Sequence, residues 1–284
     1  MSTQHNSGIL YIVGTPIGNI QDISFRAVDV LKNCDLILAE DTRHSIYLLQ
    51  NFGIPTSLKS YHQHNEQERV AQIIDLLNQN KKIALITDAG MPGISDPGYI
   101  LVKAVLENNL RVSVIPGPTA VTSAISISGI DCREFYFAGF LSSKSAARLQ
   151  KLTNFSNYNK TTALVIYEAP HRLIDCLQDI QAVFGPDKKI AAIKELTKIY
   201  EHIYSGSVSD ILDQLSKLDA IKGEYVIIIS GESEDSTNLD DQEILKALAL
   251  FKAEDINTKS AVKIIAELFK LKKNHVYDLA LKTK

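Results

Sequence analysis

The chain has 284 residues, of which 45% are hydrophobic and 22% are charged, and its formal net charge at pH 7 is -3. These values are typical of a globular protein with about two domains, and they exclude a low-complexity or highly charged disordered chain. No stretch approaches the roughly 18 consecutive apolar residues of a membrane-spanning helix, so we expect no membrane partner. MSTQHNSG at the start lacks the features of a signal peptide, and the three cysteines are an odd, widely spaced set (Cys34, Cys132 and Cys176). Both features predict a cytoplasmic protein with reduced thiols.

Through the first 130 residues, runs that are apolar on both faces alternate with amphipathic segments. The runs predict buried strands at Ile9–Val13, Leu36–Ala39, Ile83–Thr87 and Val112–Ile115. The amphipathic segments predict helices at Ser24–Lys32, Arg43–Phe52, Glu66–Asn80, Gly98–Asn108 and Thr119–Ser128. This alternation is typical of a mostly parallel sheet covered by helices, and it predicts an α/β domain over residues 1–130.

The pattern restarts after residue 130 and predicts a second α/β domain over residues 131–231. Its expected strands are Glu134–Ala138, Ala163–Tyr167, Ile190–Glu195, Ile199–Ser205 and Tyr225–Ser230, the fourth of which pairs with the strand before it. Its expected helices are Ser143–Thr153, Pro170–Phe184 and Val208–Leu218.

The C-terminal part of the chain has a different composition. Residues 232–241 are acidic and lack periodicity, which predicts a linker. Residues 242–284 predict a small helical module with helices at Gln242–Lys252, Thr258–Lys270 and Lys273–Leu281. From Asp241 to the C-terminus, nine lysines stand against six carboxylates. A basic tail on an acidic body weakly favours a nucleic-acid partner, although lysines are common on any helical surface.

Loops rich in glycine and proline follow three of the four predicted strands in the first domain. They are GTPIGN (Gly14 to Asn19), TDAGMPGISDPG (Thr87 to Gly98) and PGPTA (Pro116 to Ala120), and AEDTRH (Ala39 to His44) follows the remaining strand. Glycine lets the backbone approach a ligand closely, and proline limits the entropy that a loop loses on binding. Since ligands of open α/β sheets bind beyond the carboxyl ends of the strands, the loops predict a rigid pocket lined by peptide groups. The alternative is that they only begin helices, with Asp96 or Thr119 as caps.

GTPIGN matches neither the GxGxxG spacing of a dinucleotide site nor the GxxxxGK[ST] spacing of a phosphate-binding loop. The sequence therefore argues against a nucleotide triphosphate or a dinucleotide in the predicted pocket.

The motifs GTPIGN, AEDTRH, TDAGMPGISDPG, IPGPTA and YEAPHR, in this order, resemble the tetrapyrrole methylase-like superfamily. More narrowly, the chain is similar to the ribosomal RNA small subunit methyltransferase I family, and YHQHNE, KELTKIYE, KGEYVI and the C-terminal helices extend the likeness over nearly its whole length. The resemblance implies an α/β fold with two consecutive domains of the tetrapyrrole methylase type and a small C-terminal helical module. It also implies S-adenosylmethionine bound in the cleft between those domains, and a homodimer. The implied activity is methylation of a cytidine ribose 2′-hydroxyl in the decoding region of 16S rRNA, free or within the small ribosomal subunit or its precursor.

The same resemblance implies which residues bind the methyl donor. The first domain is expected to contribute Pro16, Ile17, Gly18, Asp88, Ala89, Gly90, Ile94, Thr119 and Ala120. The second domain is expected to contribute Phe140 and Glu168. Apolar side chains suit the adenine ring, and the helix start at Thr119 points backbone amides outward.

A ribose hydroxyl is a poor nucleophile, so a positioned base is expected to assist methyl transfer. The candidate catalytic residues at strand ends are Glu40, Arg43, Glu168, Lys194 and Glu195. Arg43 or Lys194 would stabilise a developing alkoxide, whereas each carboxylate is a candidate base. The sequence does not rank them, and ordinary exposed ion pairs are an equal alternative.

Other polar residues are candidates for binding the RNA. His62, His64 and Glu66 share one face if YHQHNE is extended, but no further histidine cluster supports a metal site, so we expect no metal. We instead predict that His62 and His64 meet RNA and that Arg172 binds a phosphate. Lys263 and Lys273 are predicted to bind phosphates as well, and a small apolar cap built on Leu248, Ile264, Leu268 and Leu279 is the alternative for this segment.

Two other functions stay open at this point. The acceptor is a tetrapyrrole or a modified protein residue in one of them. In the other, the chain is a non-catalytic RNA-binding assembly factor with a vestigial donor pocket.

Overall fold

The computed structural model describes residues 8–158, 161–231, 241–254, 256–269 and 271–282. The first half contains strands β1 (Ile9–Val13), β2 (Leu36–Ala39), β3 (Leu58–Ser60), β4 (Lys82–Ile86) and β5 (Arg111–Ile115). Its helices are α1 (Phe25–Asn33), α2 (Thr42–Asn51), α3 (Glu66–Asn78), α4 (Tyr99–Glu107) and α5 (Ala120–Ile127), with a short 3-10 helix at Ile20–Asp22. The predicted strands and helices are therefore present, with bounds that differ by a few residues. Strand β3 was not predicted, because it is short and carries a lysine and a serine at the edge of the sheet.

All five strands of the first sheet are parallel, in the order β3-β2-β4-β1-β5. Their carboxyl ends consequently meet at one edge of the sheet. Strand β1 lies between β4 and β5, so the three strands that are followed by glycine-proline loops are neighbours. Chain order alone does not reveal this adjacency.

The second half contains strands β6 (Phe135–Phe140), β7 (Ala163–Glu168), β8 (Lys189–Lys194), β9 (His202–Ser207) and β10 (Tyr225–Ile229). Its helices are α6 (Ser145–Tyr158), α7 (Leu173–Phe184) and α8 (Val208–Ser216), with a 3-10 turn at Pro170–Arg172 before α7. The sheet order is β6-β7-β10-β8-β9, in which β6 and β7 are parallel and the other neighbours are antiparallel.

Strand β9 pairs with β8, as predicted, but it begins three residues later than expected. The residues before it form a turn in which Glu195 and Thr197 adopt positive φ angles of 52° and 65°. That left-handed backbone is incompatible with an extended strand.

Helix α5 joins the two halves. Its residues Val121 and Ala124 are buried against Val165, Ile193 and Val226 of the second sheet. Because α5 follows β5 of the first sheet, this apolar packing holds the carboxyl-end loops of the first sheet against the second sheet. The opposite face of the second sheet packs on α6, α7 and α8.

Helices α9 (Asp241–Ala253), α10 (Thr258–Leu268) and α11 (Lys273–Lys282) form a compact unit of their own, and both α/β halves belong to the other unit. Its apolar centre contains Leu248 and Leu279, as expected, but Ile264 and Leu268 are exposed. Residues such as Val262 and Ile265 occupy the buried face of α10 instead. The predicted linker lies outside the described residues except for Asp241, with which α9 begins.

The predicted domain boundary near residue 130 stays a prediction, because both sheets belong to the same compact unit of the structure. Among the helices that the structure describes, none combines the length and the apolar composition needed to cross a membrane.

Candidate active site

The loops that follow β1 and β5 touch each other backbone to backbone. A Cβ atom added to Gly14 would lie 2.7 Å from the Cα atom of Gly117. One added to Gly117 would lie 2.9 Å from three backbone atoms of Gly14. Neither position has room for a larger side chain, so the glycines of GTPIGN and PGPTA are required by this close approach.

The loop after β4 is tied to the loop after β1. The Thr15 backbone N–H donates to the Gly90 carbonyl over 2.9 Å, and the Gly90 N–H donates to the Thr15 carbonyl over 3.1 Å. The buried Thr15 hydroxyl also donates to the Thr87 carbonyl over 3.1 Å. Gly90 has a φ of +79°, which side chains rarely permit. The three loops therefore form one stiff surface.

A cavity of about 600 Å³ lies between this surface and the second sheet. Its volume falls within the range of small-molecule sites in proteins. Ten predicted site residues line it: Ile17, Glu40, Asp88, Ala89, Gly90, Ile94, Thr119, Ala120, Phe140 and Glu168. The structure thus brings most of the expected donor-binding residues together.

The walls of the cavity are mostly apolar. Ile17, Ile94 and Leu196 line it, and the Phe140 ring lies on its second-half side. The Phe140 ring makes an edge contact with the Tyr167 ring at a centroid distance of 5.4 Å, and Phe140 remains 56% exposed. These side chains offer a partly open apolar slot for a flat ring.

Three carboxylates lie at the first-half end of the cavity. Glu40 follows β2, while Asp88 and Asp96 lie in the loop after β4. Burial, together with the negative charges of Asp96 and Asp88, raises the pKa of Glu40 to about 7. Burial and the charge of Asp88 raise the pKa of Asp96 to about 6. Asp88 accepts a hydrogen bond from the Asp41 backbone N–H over 3.1 Å. Among the described residues, no positively charged side chain acts to lower the pKa of Glu40 or of Asp96.

Thr119 has a second role that the sequence suggested as an alternative. Its hydroxyl accepts a hydrogen bond from the Thr122 N–H over 3.2 Å and so caps α5. The residue therefore both begins the helix and lines the cavity. Asp96 is not a cap, since Gly98 precedes α4.

Glu168 and Arg172, predicted as a catalytic and a phosphate-binding residue, are bound to each other. The Glu168 side chain is completely buried, and its Oε1 lies 2.9 Å from Nε of Arg172. Arg172 Nη2 donates to Glu168 Oε2 over 3.1 Å and to the Leu141 carbonyl over 2.7 Å. Glu168 therefore lines the cavity with its charge paired to Arg172, and the catalytic role of Glu168 and the phosphate-binding role of Arg172 stay predictions.

Lys194 and Glu195 do not line the cavity. Ile193 does, and successive residues of a strand point to opposite faces, so Lys194 is on the far side of the sheet. The Glu195 carboxylate accepts hydrogen bonds from Lys198 Nζ over 2.9 Å and from the Glu224 N–H over 3.0 Å. It is thus bound within a turn.

Arg43 also lies outside the cavity lining. It is exposed, and its Nη2 lies 2.7 Å from Oδ2 of Asp41. This contact lowers the pKa of Asp41 to about 2. The pair closes the first turn of α2 and does not face the apolar slot.

Pro16 and Gly18 flank the lining residue Ile17 without lining the cavity themselves. A Cβ atom on Gly18 would lie 2.8 Å from the Leu196 carbonyl oxygen. Next to it, the Asn19 N–H donates to Thr197 Oγ1 over 3.0 Å. This segment therefore connects the loop after β1 with the turn after β8.

None of the predicted RNA-binding residues is among the residues that line the cavity. His62 and His64 lie between β3 and α3, with their rings 5.9 Å apart. Lys263 and Lys273 belong to α10 and α11 and are exposed. Within the described part of the chain, no group of three or more His, Cys, Asp or Glu residues is arranged to hold a metal ion.

Sequence reasoning missed several residues that line the cavity. They include Met91, Asp96, Tyr167, His171, Leu196 and Glu224. All six occur in motifs that carried the family resemblance, namely TDAGMPGISDPG, YEAPHR, KELTKIYE and KGEYVI. The motifs identified the segments that line the cavity, whereas identifying the lining residues within each segment required the backbone conformation.

Comparison with known proteins agrees with this architecture. Residues 9–212 match the family model described as Tetrapyrrole (Corrin/Porphyrin) Methylases. The chain is 43% identical over 277 residues to Ribosomal RNA small subunit methyltransferase I of Haemophilus influenzae, with 97% of both chains covered. It is 41% identical over 281 residues to the protein of the same name from Escherichia coli O157:H7, which covers 99% of this chain and 97% of that one.

Solved structures show the same fold at low sequence identity. A diphthine synthase superposes with a TM-score of 0.61 at 14% identity, covering 79% of this chain and 90% of that chain. A uroporphyrin-III-C-methyltransferase from Thermus thermophilus gives a TM-score of 0.54 at 18% identity, covering 78% and 94%. The predicted fold class is confirmed. With matches of this extent over nearly its full length, the chain belongs to the tetrapyrrole methylase family and, within it, to the ribosomal RNA small subunit methyltransferase I family.

Proposed function

We propose that this protein transfers a methyl group from S-adenosylmethionine to the ribose 2′-hydroxyl of a cytidine in the decoding region of 16S rRNA. Family membership supports methylation of the small-subunit rRNA. The observation that carries the chemistry is the cavity itself, in which the Glu40 carboxyl, with a pKa near neutrality, adjoins a stiff surface of backbone loops. The choice of a cytidine and of its ribose 2′-hydroxyl is more specific than what family membership supports, and it is proposed in addition.

The residues of the cavity suit the chemistry of the donor. When bound, S-adenosylmethionine supplies an activated methyl group on a positively charged sulfur. Ala89 and Gly90 bring backbone groups to the cavity surface, and Asp88 supplies a negative charge beside them. Ile17, Ile94 and Phe140 form apolar walls for an adenine ring. We propose that Thr119 and Ala120 complete this site at the start of α5, with Pro16 and Gly18 supporting Ile17 from behind.

We propose that Glu40 accepts the proton of the acceptor hydroxyl. It lines the cavity, and a pKa of about 7 leaves a useful fraction of the carboxylate ionised at neutral pH while keeping it a competent base. Glu168 and Glu195 are less suitable as the base, since the carboxylate of each is already bound by another side chain. Arg43 and Lys194 do not reach the lining.

We propose that the rRNA binds in part through the C-terminal helical unit. Lys263 has an exposed ammonium 3.9 Å from Glu267, and such a pair costs little to break. Lys273 begins α11 and is also exposed. Lysines of this kind bind phosphates without reading sequence. His62 and His64 are proposed as further RNA contacts at the edge of the first sheet.

We also propose that the protein is a homodimer in the cytoplasm, where it meets the small ribosomal subunit or its precursor. Phe25 is 98% exposed and Ile199 is 95% exposed. Single exposed apolar side chains are ordinary on protein surfaces, so the dimer proposal rests on the family resemblance, and these residues supply a position at which to test it. Light scattering on wild type and on Ile199→Asp tests this point, since the variant is expected to be monomeric.

The activity is tested by incubating the protein with S-adenosylmethionine labelled in its methyl group and three acceptors: immature 30S particles, purified 16S rRNA and a porphyrinoid precursor. Label is expected in a single cytidine ribose of the 16S rRNA. Label only in the porphyrinoid would overturn the acceptor. Donor binding without transfer to any of the three would favour a non-catalytic assembly factor.

A further inference from the structure

The ion pair between Glu168 and Arg172 lies at one wall of the cavity, which Glu168 itself lines. Glu168 is the last residue of β7, and its Oε1 accepts a hydrogen bond from the Ala169 N–H over 2.8 Å. Arg172 Nη2 donates both to Glu168 Oε2 and to the carbonyl of Leu141, the residue after β6. Two charged side chains thereby join the carboxyl ends of two neighbouring strands and the 3-10 turn at Pro170–Arg172.

The segment held by this pair faces the cavity. Ala169, Pro170 and His171 line it on one side of the pair, and Phe140, which precedes Leu141, lines it on the other. Arg172 itself is not part of the lining. The pair therefore contacts the backbone of two stretches of the cavity wall, while its own charges neutralise each other.

We infer that Glu168 and Arg172 are positioning residues for methyl transfer and that their ion pair fixes the Ala169–His171 segment and Phe140 against the bound substrates. This inference rests on the proposed function. A buried carboxylate needs its partners, because desolvation is offset only when the geometry is good and the remaining lone pairs are bonded. Besides binding each other, the two side chains bind the backbone of Ala169, which lines the cavity, and of Leu141, which follows the lining residue Phe140.

The second half contains a second ion pair, which does not contact the Ala169–His171 segment. Arg148 is 2% exposed, and its Nε donates to Asp179 Oδ2 over 2.6 Å. Its Nη1 donates to the Ser142 carbonyl over 3.1 Å, one residue beyond the carbonyl that Arg172 binds. Arg148 and Asp179 join α6 to α7, and neither lines the cavity. Both pairs join an arginine to a carboxylate and bind a carbonyl after β6, but only the Glu168–Arg172 pair includes a lining residue and binds the Ala169 backbone.

The experiment compares Arg172→Met with Arg148→Met, and adds Arg172→Lys and Glu168→Gln in case Arg172→Met does not fold. Thermal unfolding, donor affinity by calorimetry, and kcat and KM with 16S rRNA at several pH values are measured on the full chain. We expect Arg172→Met and Arg148→Met to lower the unfolding temperature to a similar extent. Because a displacement of about 1 Å in a positioned group costs up to about a hundredfold in rate, only Arg172→Met is expected to lose at least about tenfold in kcat and to bind the donor several-fold more weakly.

The conservative variants separate positioning from direct chemistry. Glutamine at 168 keeps an oxygen for Ala169 and Arg172 but cannot take up a proton, so Glu168→Gln is expected to keep the wild-type pH profile with a modest loss of kcat. Arg172→Lys is expected to recover part of kcat, because one ammonium cannot reproduce all of the guanidinium contacts.

Three results would overturn the inference. They are wild-type donor affinity and kcat in Arg172→Met, an equal loss of kcat in Arg148→Met, and disappearance of the pH dependence in Glu168→Gln. Failure of the proposed function has a different signature, namely no transfer of label to 16S rRNA by the wild-type protein. In that case the donor affinities of the Arg172 and Arg148 variants still decide whether the ion pair positions the cavity wall.

Discussion

The two α/β halves contribute to the cavity in different ways. The first half presents backbone and carboxylates that lack cationic partners among the described residues, with Gly14 and Gly117 in contact and Glu40 and Asp96 at raised pKa values. The second half presents an apolar wall, and its acidic groups are bound within the protein, as in the Glu168–Arg172 pair.

The difference follows from the sheets. Parallel strands bring all their following loops to one edge, so the first sheet can assemble a surface from several loops. The second sheet is mixed, so its lining comes from the carboxyl ends of β6, β7 and β8 and from the amino end of β10. We therefore expect reactivity to depend on the first half and orientation on the second.

The largest effect is expected for Glu40→Gln. Since the carboxylate form exists above its pKa of about 7, the wild-type rate should rise as the pH increases from 6 to 8. Glutamine does not titrate, so the variant should lose this rise and at least about a hundredfold in kcat. The measurement is single-turnover label transfer across that pH range.

Glu107→Gln is the control for this change, because it removes an exposed carboxylate from α4 outside the cavity lining. It should behave as wild type. A normal rate and pH profile in Glu40→Gln would show that Glu40 is not the base, and it would contradict the idea that reactivity depends on the first half.

The next effect concerns backbone contact in the first half. In Gly117→Ala the new Cβ atom would meet three backbone atoms of Gly14 at 2.9 Å, and backbone cannot rotate away as a side chain can. We expect the unfolding free energy to fall by about 1–3 kcal/mol and the donor affinity to fall at least about tenfold. Calorimetry and urea titration measure the two quantities.

Gly53→Ala provides the matching control. Gly53 has a φ of +58° but nothing within 4 Å of its added Cβ atom, so the variant should lose about 1–2 kcal/mol of stability through backbone strain alone. Its donor affinity should remain unchanged. Equal donor affinities in the two alanine variants would refute the idea that loop contact shapes the site.

The contrast between the halves was only partly visible in the sequence. Long apolar runs predicted the bounds of β1, β2, β4 and β5 almost to the residue. The prediction that all four are buried was wrong for β5, which is an edge strand with only Ile115 buried. The glycine-proline loops were equally plain. The order that makes β4, β1 and β5 neighbours depends on long-range pairing, and nothing in a local segment encodes it.

The candidate site followed the same rule. Most of the residues predicted from the loops of the first half line the cavity, because the loops themselves form the lining there, and their roles stay predictions. In the second half, Glu168 and Arg172 were assigned separate roles, although their spacing of four residues allows the contact that the structure has. Sequence spacing does not tell a buried ion pair from two exposed charges, because burial is set by β6 and α7 packing around them.

A smaller effect tests the apolar wall of the second half. Phe140→Leu removes the edge contact with Tyr167 at 5.4 Å and a flat surface at the cavity rim. We expect donor affinity to fall by about two- to tenfold, which corresponds to one aromatic contact. Tyr136→Leu is the control, since Tyr136 is on the same strand but stacks on Phe155 away from the lining. Comparable losses in both variants would mean that strand β6 and not the ring determines affinity.

The smallest effect is a shift in pH dependence caused by Asp96→Asn. Burial is the largest cause of the raised pKa of Glu40, and the negative charge of Asp96 is the second, because it disfavours another negative charge nearby. Removing it should lower the pKa of Glu40, so the midpoint of the rate profile should move to lower pH by less than about one unit. The variant should then be faster than wild type near pH 6.5 and nearly equal to it near pH 8, a gain that a damaged site does not produce.

Asp75→Asn is the control, because it removes the same charge from an exposed position on α3, where salt screens it, and should leave the midpoint in place. A midpoint that stays fixed in Asp96→Asn, or moves to higher pH, would show that Glu40 and Asp96 are not coupled and that the carboxylates of the first half do not act as one group.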